Sequence, residues 1–270
     1  MAHAPADFSG SIPEFYDRIM GPAHFDTFGA ELARRLPATP PGDVLEIACG
    51  TGCVTRYLRE RLSTELKVVA SDISAAMLGF ARRKLEGVQG IEWREADACK
   101  LPFGDAVFGA VVCAFGVMFV PDKAACFREA RRVLRNGGAL LFDVWDGIEN
   151  NPHGRVAADV IEGLLPDDPA ARFGSIPYHF NDRAAIGRLL EGAAFVVERI
   201  DTVRIKCRAP SAREFATGQL RGTPRSLILQ ERGIPVDGVI EKVAAALARA
   251  GGAEPFRYTA QALVVEARAI

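Results

Sequence analysis

The stretch Val44-Leu45-Glu46-Ile47-Ala48-Cys49-Gly50-Thr51-Gly52 decides the fold: an apolar strand carrying one acid runs into a turn that holds two glycines. Lacking a Cβ, Gly50 and Gly52 can take positive φ, so backbone can approach a bulky ligand while its N–H groups remain available as donors. Glu46 adds an acceptor at the carboxyl end of the strand. A hydrogen bond to a charged group is worth about 1.5–3 kcal/mol, enough to orient a cationic ligand.

Outward from this turn, residues 43–143 alternate short apolar runs with amphipathic segments, the pattern of βαβ units on a parallel sheet. Strands are expected at 44–48, 66–71, 91–95, 107–113 and 139–144, with helices near 54–61, 75–85 and 123–134. Asn136-Gly137-Gly138 reads as a C-cap turn closing the last of these helices. Two more strands are expected at 195–201 and 262–267. The fold class is therefore α/β, a doubly wound and mostly parallel seven-stranded sheet with helical cap insertions. The expected organisation is an N-terminal helical arm or lid at 1–36, a cofactor-binding core at 37–148, and cap segments at 149–193 and 208–258. The last strands of the core then fall at 194–207 and 259–270. Phe8, Phe15, Tyr16, Phe25 and Phe28 suit an arm packed over the mouth of the site, with Tyr16 as a ligand contact. Long connections of the kind seen in the cap segments usually carry function, and in open α/β sheets ligands bind outside the carboxyl ends of the strands.

At 270 residues with 49% hydrophobic composition, the chain can bury a full core. Its 33 basic and 34 acidic residues leave a net charge of −1, which supplies no field for a phosphate backbone, so nucleic acid is not an expected partner. The arginine pairs at 34/35, 82/83 and 131/132 are expected on solvated helix faces. The first residues lack the charged start and apolar run of a signal peptide, and the longest apolar stretch, 107–120, is too short to cross a bilayer. A cytoplasmic protein with no integral membrane segment is expected, and an oligomer is compatible with the sequence. The cysteines at 49, 53, 99, 113, 126 and 207 show no CxxC spacing and no histidine completing a zinc site, so reduced thiols and no metal are expected.

The glycine turn continues as Cys53-Val54-Thr55 rather than supplying a third small residue, which weakens a dinucleotide reading. Asp72 lies 20 residues beyond Gly52 at a strand end, where a carboxylate can hold the hydroxyls of a ribose. Asp97 follows the third strand, where it can accept from an adenine amino group while Ala98 donates through its backbone. Acids thus end three successive strands, and together with the turn they point to a nucleoside-bearing ligand.

Through four motifs in order, VLEIACGTG (44–52), VVASDIS (68–74), EADACKLPF (95–103) and FGAVVCAFGVMFVPD (108–122), the chain resembles the class I S-adenosylmethionine-dependent methyltransferases. The segment FREARRVLRNGGALLFDVWD (127–146) is similar to the family as well, and the look is to the small-molecule branch that includes ubiquinone and menaquinone biosynthesis methyltransferases. One departure is Ala48, where many members have glycine. The resemblance implies S-adenosylmethionine as cofactor and a small-molecule acceptor methylated by direct in-line transfer. It implies that Glu46 faces the methionine amino group, that Ala48, Gly50 and Gly52 line the turn, and that Asp72 holds the ribose. It further implies that Ile73 and Met77 pack on the adenine, that Asp97 and Ala98 read its edge, and that Ala114 and Phe115 line the boundary with the acceptor. Transfer from a sulfonium needs no protein nucleophile; a base, where the acceptor is a hydroxyl or amine, is expected among His24, His153 and His179, with His153 favoured. The competing readings are an NAD(P)-dependent oxidoreductase, which would lack its third glycine and a Tyr-x-x-x-Lys pair, and a noncatalytic nucleoside-binding domain, which would have little use for two long cap segments.

Overall fold

A computed structural model describes residue 8, residues 10–169 and residues 176–270; the expected arm at 1–7 and 9 and the expected cap at 170–175 lie outside the described residues. Seven strands form one sheet in the order β3-β2-β1-β4-β5-β7-β6. They are β1 (Val44–Ile47), β2 (Val68–Asp72), β3 (Ile91–Glu95), β4 (Phe108–Ala114), β5 (Leu134–Trp145), β6 (Phe195–Ala209) and β7 (Phe256–Ala269). The first five run parallel, and β7 is antiparallel to both of its neighbours. β1 and β4 are buried along almost their whole length, as strands covered by helices on both faces must be. The chain reverses its order of strand addition between β1 and β4, which opens a crevice at their carboxyl ends.

Among the helices, α1 (Ile12–Phe15) leads into a π-helix at Tyr16–Phe25, followed by α2 (Asp26–Arg35), α3 (Cys53–Arg61), α4 (Ala75–Lys84) and α5 (Lys123–Val133). Ser74 and Asp122 start α4 and α5 by accepting from the backbone N–H groups of Met77 and Ala125. The second half of the sequence adds α6 (Pro152–Leu164), α7 (Arg183–Gly192), α8 (Ala212–Arg221), α9 (Arg225–Glu231) and α10 (Val236–Gly251).

The structure departs from the sequence expectations in three places. Asn136-Gly137-Gly138 does not close a helix: α5 ends at Val133, and the three residues form a bulge within β5, with Gly137 at φ 77°. The register jumps there, since Leu134 pairs with Phe108 and Ala139 with Ala110. The last two strands are 15 and 14 residues long, roughly twice the expected length. Beyond the final β5 pair, Trp145 with Ala262, residues 204–209 and 256–261 pair only with each other and rise past the sheet as a two-stranded ribbon. Of the arginine pairs, Arg35 is mostly covered and Arg132 half-buried, each held in ion pairs. Arg35 binds Asp201 and Glu266 at 2.7 and 2.8 Å and so pins α2 to β6 and β7; Arg132 binds Glu129 and Asp105 and the carbonyls of Leu101 and Phe103.

The ribbon is fastened to the sheet by Asn151, which is fully buried. Its Nδ2 donates to the carbonyls of Asp146, Gly147 and Gln261, and its Oδ1 accepts from the backbone N–H of Gln261 at 2.9 Å. One amide thus imitates a strand neighbour for the ribbon at the start of α6. Asn151→Ala leaves the Gln261 N–H without its acceptor, while the Gly147 and Gln261 carbonyls keep donors in Asn150 N and Asp146 N; a buried group left unpaired costs about 1–3 kcal/mol, and the substitution is expected to lower unfolding free energy by about 2 kcal/mol in urea titrations.

Candidate active site

Three alternate residues of the turn after β1 set its shape. Ala48 and Gly50 both sit at φ 55°, and Gly52 at 74° as the N-cap of α3. Around Gly50 a Cβ would meet nothing within 4 Å, so its surface is open to a ligand, whereas a Cβ on Gly52 would meet Leu85 and Ala81 of the α4 region at 3.1 and 3.2 Å. The two glycines therefore serve different ends: Gly50 faces the crevice, and Gly52 lets α3 pack on α4. Ala48 takes the left-handed conformation despite its Cβ, at a cost of roughly 1–2 kcal/mol.

Asp72 closes the turn from β2. Its Oδ2 accepts from Gly50 N and its Oδ1 from Ser74 N, both at 2.8 Å. Burial raises its pKa, and the hydrogen bonds from Ser74, Gly50 and Ile73 work against that rise. A carboxylate has about four lone-pair positions, so acceptor capacity remains for a ligand diol.

These groups open onto a cavity of about 400 Å³ outside the carboxyl ends of the parallel strands. Of the residues expected at the site, Tyr16, Ala48, Gly50, Asp72, Ile73, Met77, Asp97, Ala98, Ala114, Phe115 and His153 all line it. Ile73 is 51% exposed, an uncovered apolar platform beside the buried Met77. Asp97 holds its own loop through Cys99 N at 2.8 Å. Glu46 lines an adjoining small cavity beneath the turn, shared with Tyr16, Ala48, Gly50, Ala114 and Phe115. There it is 1% exposed and accepts from Thr55 Oγ1 at 2.6 Å. Burial pushes its pKa up to about 8, the Thr55 bond opposes that, and nearby Asp72 adds to it. Gly52 lines neither cavity. His179 is exposed and lines neither.

The π-helix contributes more than Tyr16. Its wide turn brings Tyr16, Met20, His24 and Phe25 to the same cavity, and Lys84 on α4 anchors the helix through Asp17 at 2.5 Å. His24 and His153 are both buried, their rings 5.7 Å apart. Desolvation lowers the pKa of both, that of His153 to about 3, so each is a neutral imidazole. His153 has a backbone hydrogen bond to Thr259 of the ribbon and no partner at Nδ1, so Nε2 carries the proton and Nδ1 is a bare acceptor. His24 Nδ1 lies 2.8 Å from Tyr258 Oη, which donates to the Ala23 carbonyl; the proton of His24 is then on Nδ1, and its unpartnered Nε2 is a second acceptor. The Gln219 amide donates to the His153 carbonyl and leaves Oε1 as a third.

Sequence reasoning missed Trp145, Tyr178, Gln219 and Arg225 in the cavity wall, and it missed Asp143 behind it. Asp143 is fully buried on β5 and accepts from Phe115 N at 2.8 Å, holding Phe115 at φ 51°, a conformation a bulky residue rarely takes. That bond sets the Phe115 ring 4.3 Å from Trp145. Trp145 and Asp143 lie in a motif visible in the sequence; Gln219 and Arg225 carry no local signal. Among the described residues no three His, Cys, Asp or Glu gather as a metal site, and no helix is long and apolar enough to cross a membrane. All six cysteines are free.

Burial pushes the pKa of Asp143 from 3.8 up to about 8. A carboxyl raised in the folded state stabilises the fold below its unfolded pKa, and that contribution is lost as pH rises toward the folded value. Wild-type stability is therefore expected to fall between pH 4 and 8. Asp143→Asn, which keeps the acceptor for Phe115, is expected to show a shallower fall in urea titrations across that range, with Glu46 supplying the remainder.

Residues 45–142 match the family described as Methyltransferase domain. The chain is 44% identical over 102 residues to the ubiquinone/menaquinone biosynthesis C-methyltransferase of Stenotrophomonas maltophilia, covering 36% of this chain and 40% of that protein. It is 41% identical over 123 residues to the demethylmenaquinone methyltransferase of Thermus thermophilus, covering 43% and 55%. The chain thus spans about half the length, or less, of these curated relatives. A crystal structure from Bacillus halodurans superposes with TM-score 0.61 over 90% of this chain and 98% of that one; at 22% identity this is a likeness of fold.

Proposed function

We propose, from the match of residues 45–142 to the methyltransferase-domain family, that this chain transfers a methyl group from S-adenosylmethionine to a small, largely apolar acceptor, leaving S-adenosylhomocysteine. The observation that carries this reading is the cavity itself. It lies outside the strand ends and joins Asp72, Asp97 and the open face of Gly50 on one side to two neutral histidines in an aromatic wall on the other.

The residues fit the cofactor. Asp72, held by Gly50 and Ser74, keeps acceptor capacity for a ribose diol; Ile73 and Met77 offer apolar surface for an adenine, with Asp97 and Ala98 at its edge. Glu46 in the adjoining pocket awaits an ammonium group. Tyr16, Ala48, Ala114 and Phe115 border both pockets and divide donor from acceptor. The bound cofactor supplies a methyl on a sulfonium, a good leaving group, so alignment by the protein accounts for much of the acceleration.

On the acceptor side, His153, Pro177, Tyr178, Gln219 and Arg225 complete the wall, and His153 Nδ1 accepts the proton of a hydroxyl or amine as the new bond to methyl forms. A weak base suffices there, because an oxygen or nitrogen gaining a methyl becomes strongly acidic. Deprotonating a phenol raises nucleophilicity at its oxygen and at the adjacent ring carbons alike. The same imidazole therefore serves the carbon methylation named for the curated relatives and methylation at a heteroatom. The aromatic wall excludes the water that would compete for those acceptor atoms.

Calorimetry with S-adenosylhomocysteine tests the cofactor half. Asp72→Ala is expected to weaken binding on the order of tenfold to a hundredfold, the loss of charge-assisted hydrogen bonds; no binding by the wild type would sink the proposal. Because Glu46 is protonated below about pH 8 and an incoming ammonium favours its carboxylate, binding should release a proton at pH 7. Affinity should then rise from pH 6 to 8, and Glu46→Gln should abolish the release, read from the dependence of binding heat on buffer. A screen of phenols, amines, quinones and fatty or polyketide acids with labelled donor finds an acceptor. On that acceptor His153→Ala should cut turnover while leaving cofactor affinity unchanged.

A further inference from the structure

The cavity is polar at two ends of opposite sign. Asp72, Asp97 and Asp122 stand on the strand-end side, and among the described lining residues Arg225 is the one lysine or arginine. Arg225 is the first residue of α9 and is 9% exposed. The walls between the two ends are apolar: Phe25, Phe115, Met118, Val120 and Trp145. A guanidinium in such a wall is poorly solvated, and its pKa is lowered by burial. Tyr178 beside it is a neutral phenol, its pKa pushed up to about 12 by burial even against the opposing charge of Arg225.

The same cavity is lined by three residues with buried acceptors that have no partner, His24 Nε2, His153 Nδ1 and Gln219 Oε1. A guanidinium presents five N–H donors in a planar fork, and the fork matches a carboxylate in bidentate geometry. Acceptor atoms call for the reverse, a donor on the ligand. One molecule answers both demands if it carries an acid at one position and a hydroxyl or amine at another. A phosphate or diphosphate would set two or more negative charges against one guanidinium.

We propose that Arg225 forms an oxyanion subsite, and that the acceptor is an apolar, ring-bearing carboxylic acid whose hydroxyl or amine meets His153 and His24. This rests on the methyltransferase reading and names its acceptor class. The carboxylate on Arg225 orients the ring along the aromatic wall, and the hydroxyl or amine then meets the histidines. The guanidinium is a binding group; the histidines receive the proton.

The test compares 4-hydroxyphenylacetate and 4-hydroxycinnamate with their methyl esters, by calorimetry on the full chain with and without S-adenosylhomocysteine. The wild type is expected to bind at least one acid about tenfold more tightly than its ester, as a charge-assisted bidentate pair implies. Arg225→Met should erase that preference and Arg225→Lys should retain part of it, with S-adenosylhomocysteine affinity unchanged in both. Should Arg225→Met fail to fold, Arg225→Gln makes the same comparison. Failure of both acids to bind, equal binding of acid and ester, or a preference that survives loss of the guanidinium overturns the proposal. Because the acids are also measured without S-adenosylhomocysteine, a wild type that binds acids but not that product overturns the cofactor assignment and leaves the subsite standing.

Discussion

The hydrogen bond from Gly50 N to the Asp72 carboxylate joins the turn after β1 to the end of β2, and the geometry of the crevice follows from it. A turn with positive φ at Ala48, Gly50 and Gly52 would be a costly conformation in an isolated chain. Here it is over-determined: Cys49 N donates to the Ser71 carbonyl, Gly50 N to Asp72, and Gly52 N to the Cys49 carbonyl. Because the order of strand addition reverses beside β1, nothing in the sheet covers this turn from above. A ligand, the π-helix and residues of α6, α8 and α9 share the space.

The opposite wall is built by a different device. β7 lies antiparallel between β5 and β6 and, with β6, runs on past the end of β5. That extension carries Tyr258 and Thr259 to where they fix the tautomers of His24 and His153. Asn151 fastens the extension, and Asp143 holds Phe115 in a strained conformation against Trp145. Burial desolvates the histidines and, at separate places around the crevice, raises Glu46 and Asp143. Burial thereby keeps the site almost free of charge apart from Arg225 and the strand-end acids.

Much of this was legible in the sequence, and the legible part is local. Apolar runs separated by amphipathic segments predict β1 to β5 and α3 to α5 to within a few residues, because a parallel sheet covered on both faces imposes that pattern on each strand separately. The strand-end acids and the glycine turn are likewise readable, since their geometry depends on residues within a few positions. Two misreadings show the limit. Asn136-Gly137-Gly138 carries the composition of a helix stop, yet the same conformational freedom serves a bulge, and only pairing with β4 selects it. The alternation Val203, Ile205, Cys207, Ala209 against Arg204, Lys206, Arg208 is a strand signal that extends β6, and a reading that stops at 201 loses the ribbon.

What the sequence by itself determined is the sheet, its cofactor-side turn and the acids that face it. Only the tertiary structure decided the other half of the cavity. His24, Asn151, His153, Gln219, Arg225 and Tyr258 come from five separate elements and intervening loops, and their meeting depends on contacts as long as 234 residues in sequence. It also decided their protonation, for an imidazole is neutral and a carboxyl protonated near neutral pH only where neighbouring side chains have displaced the water that would otherwise solvate the charge.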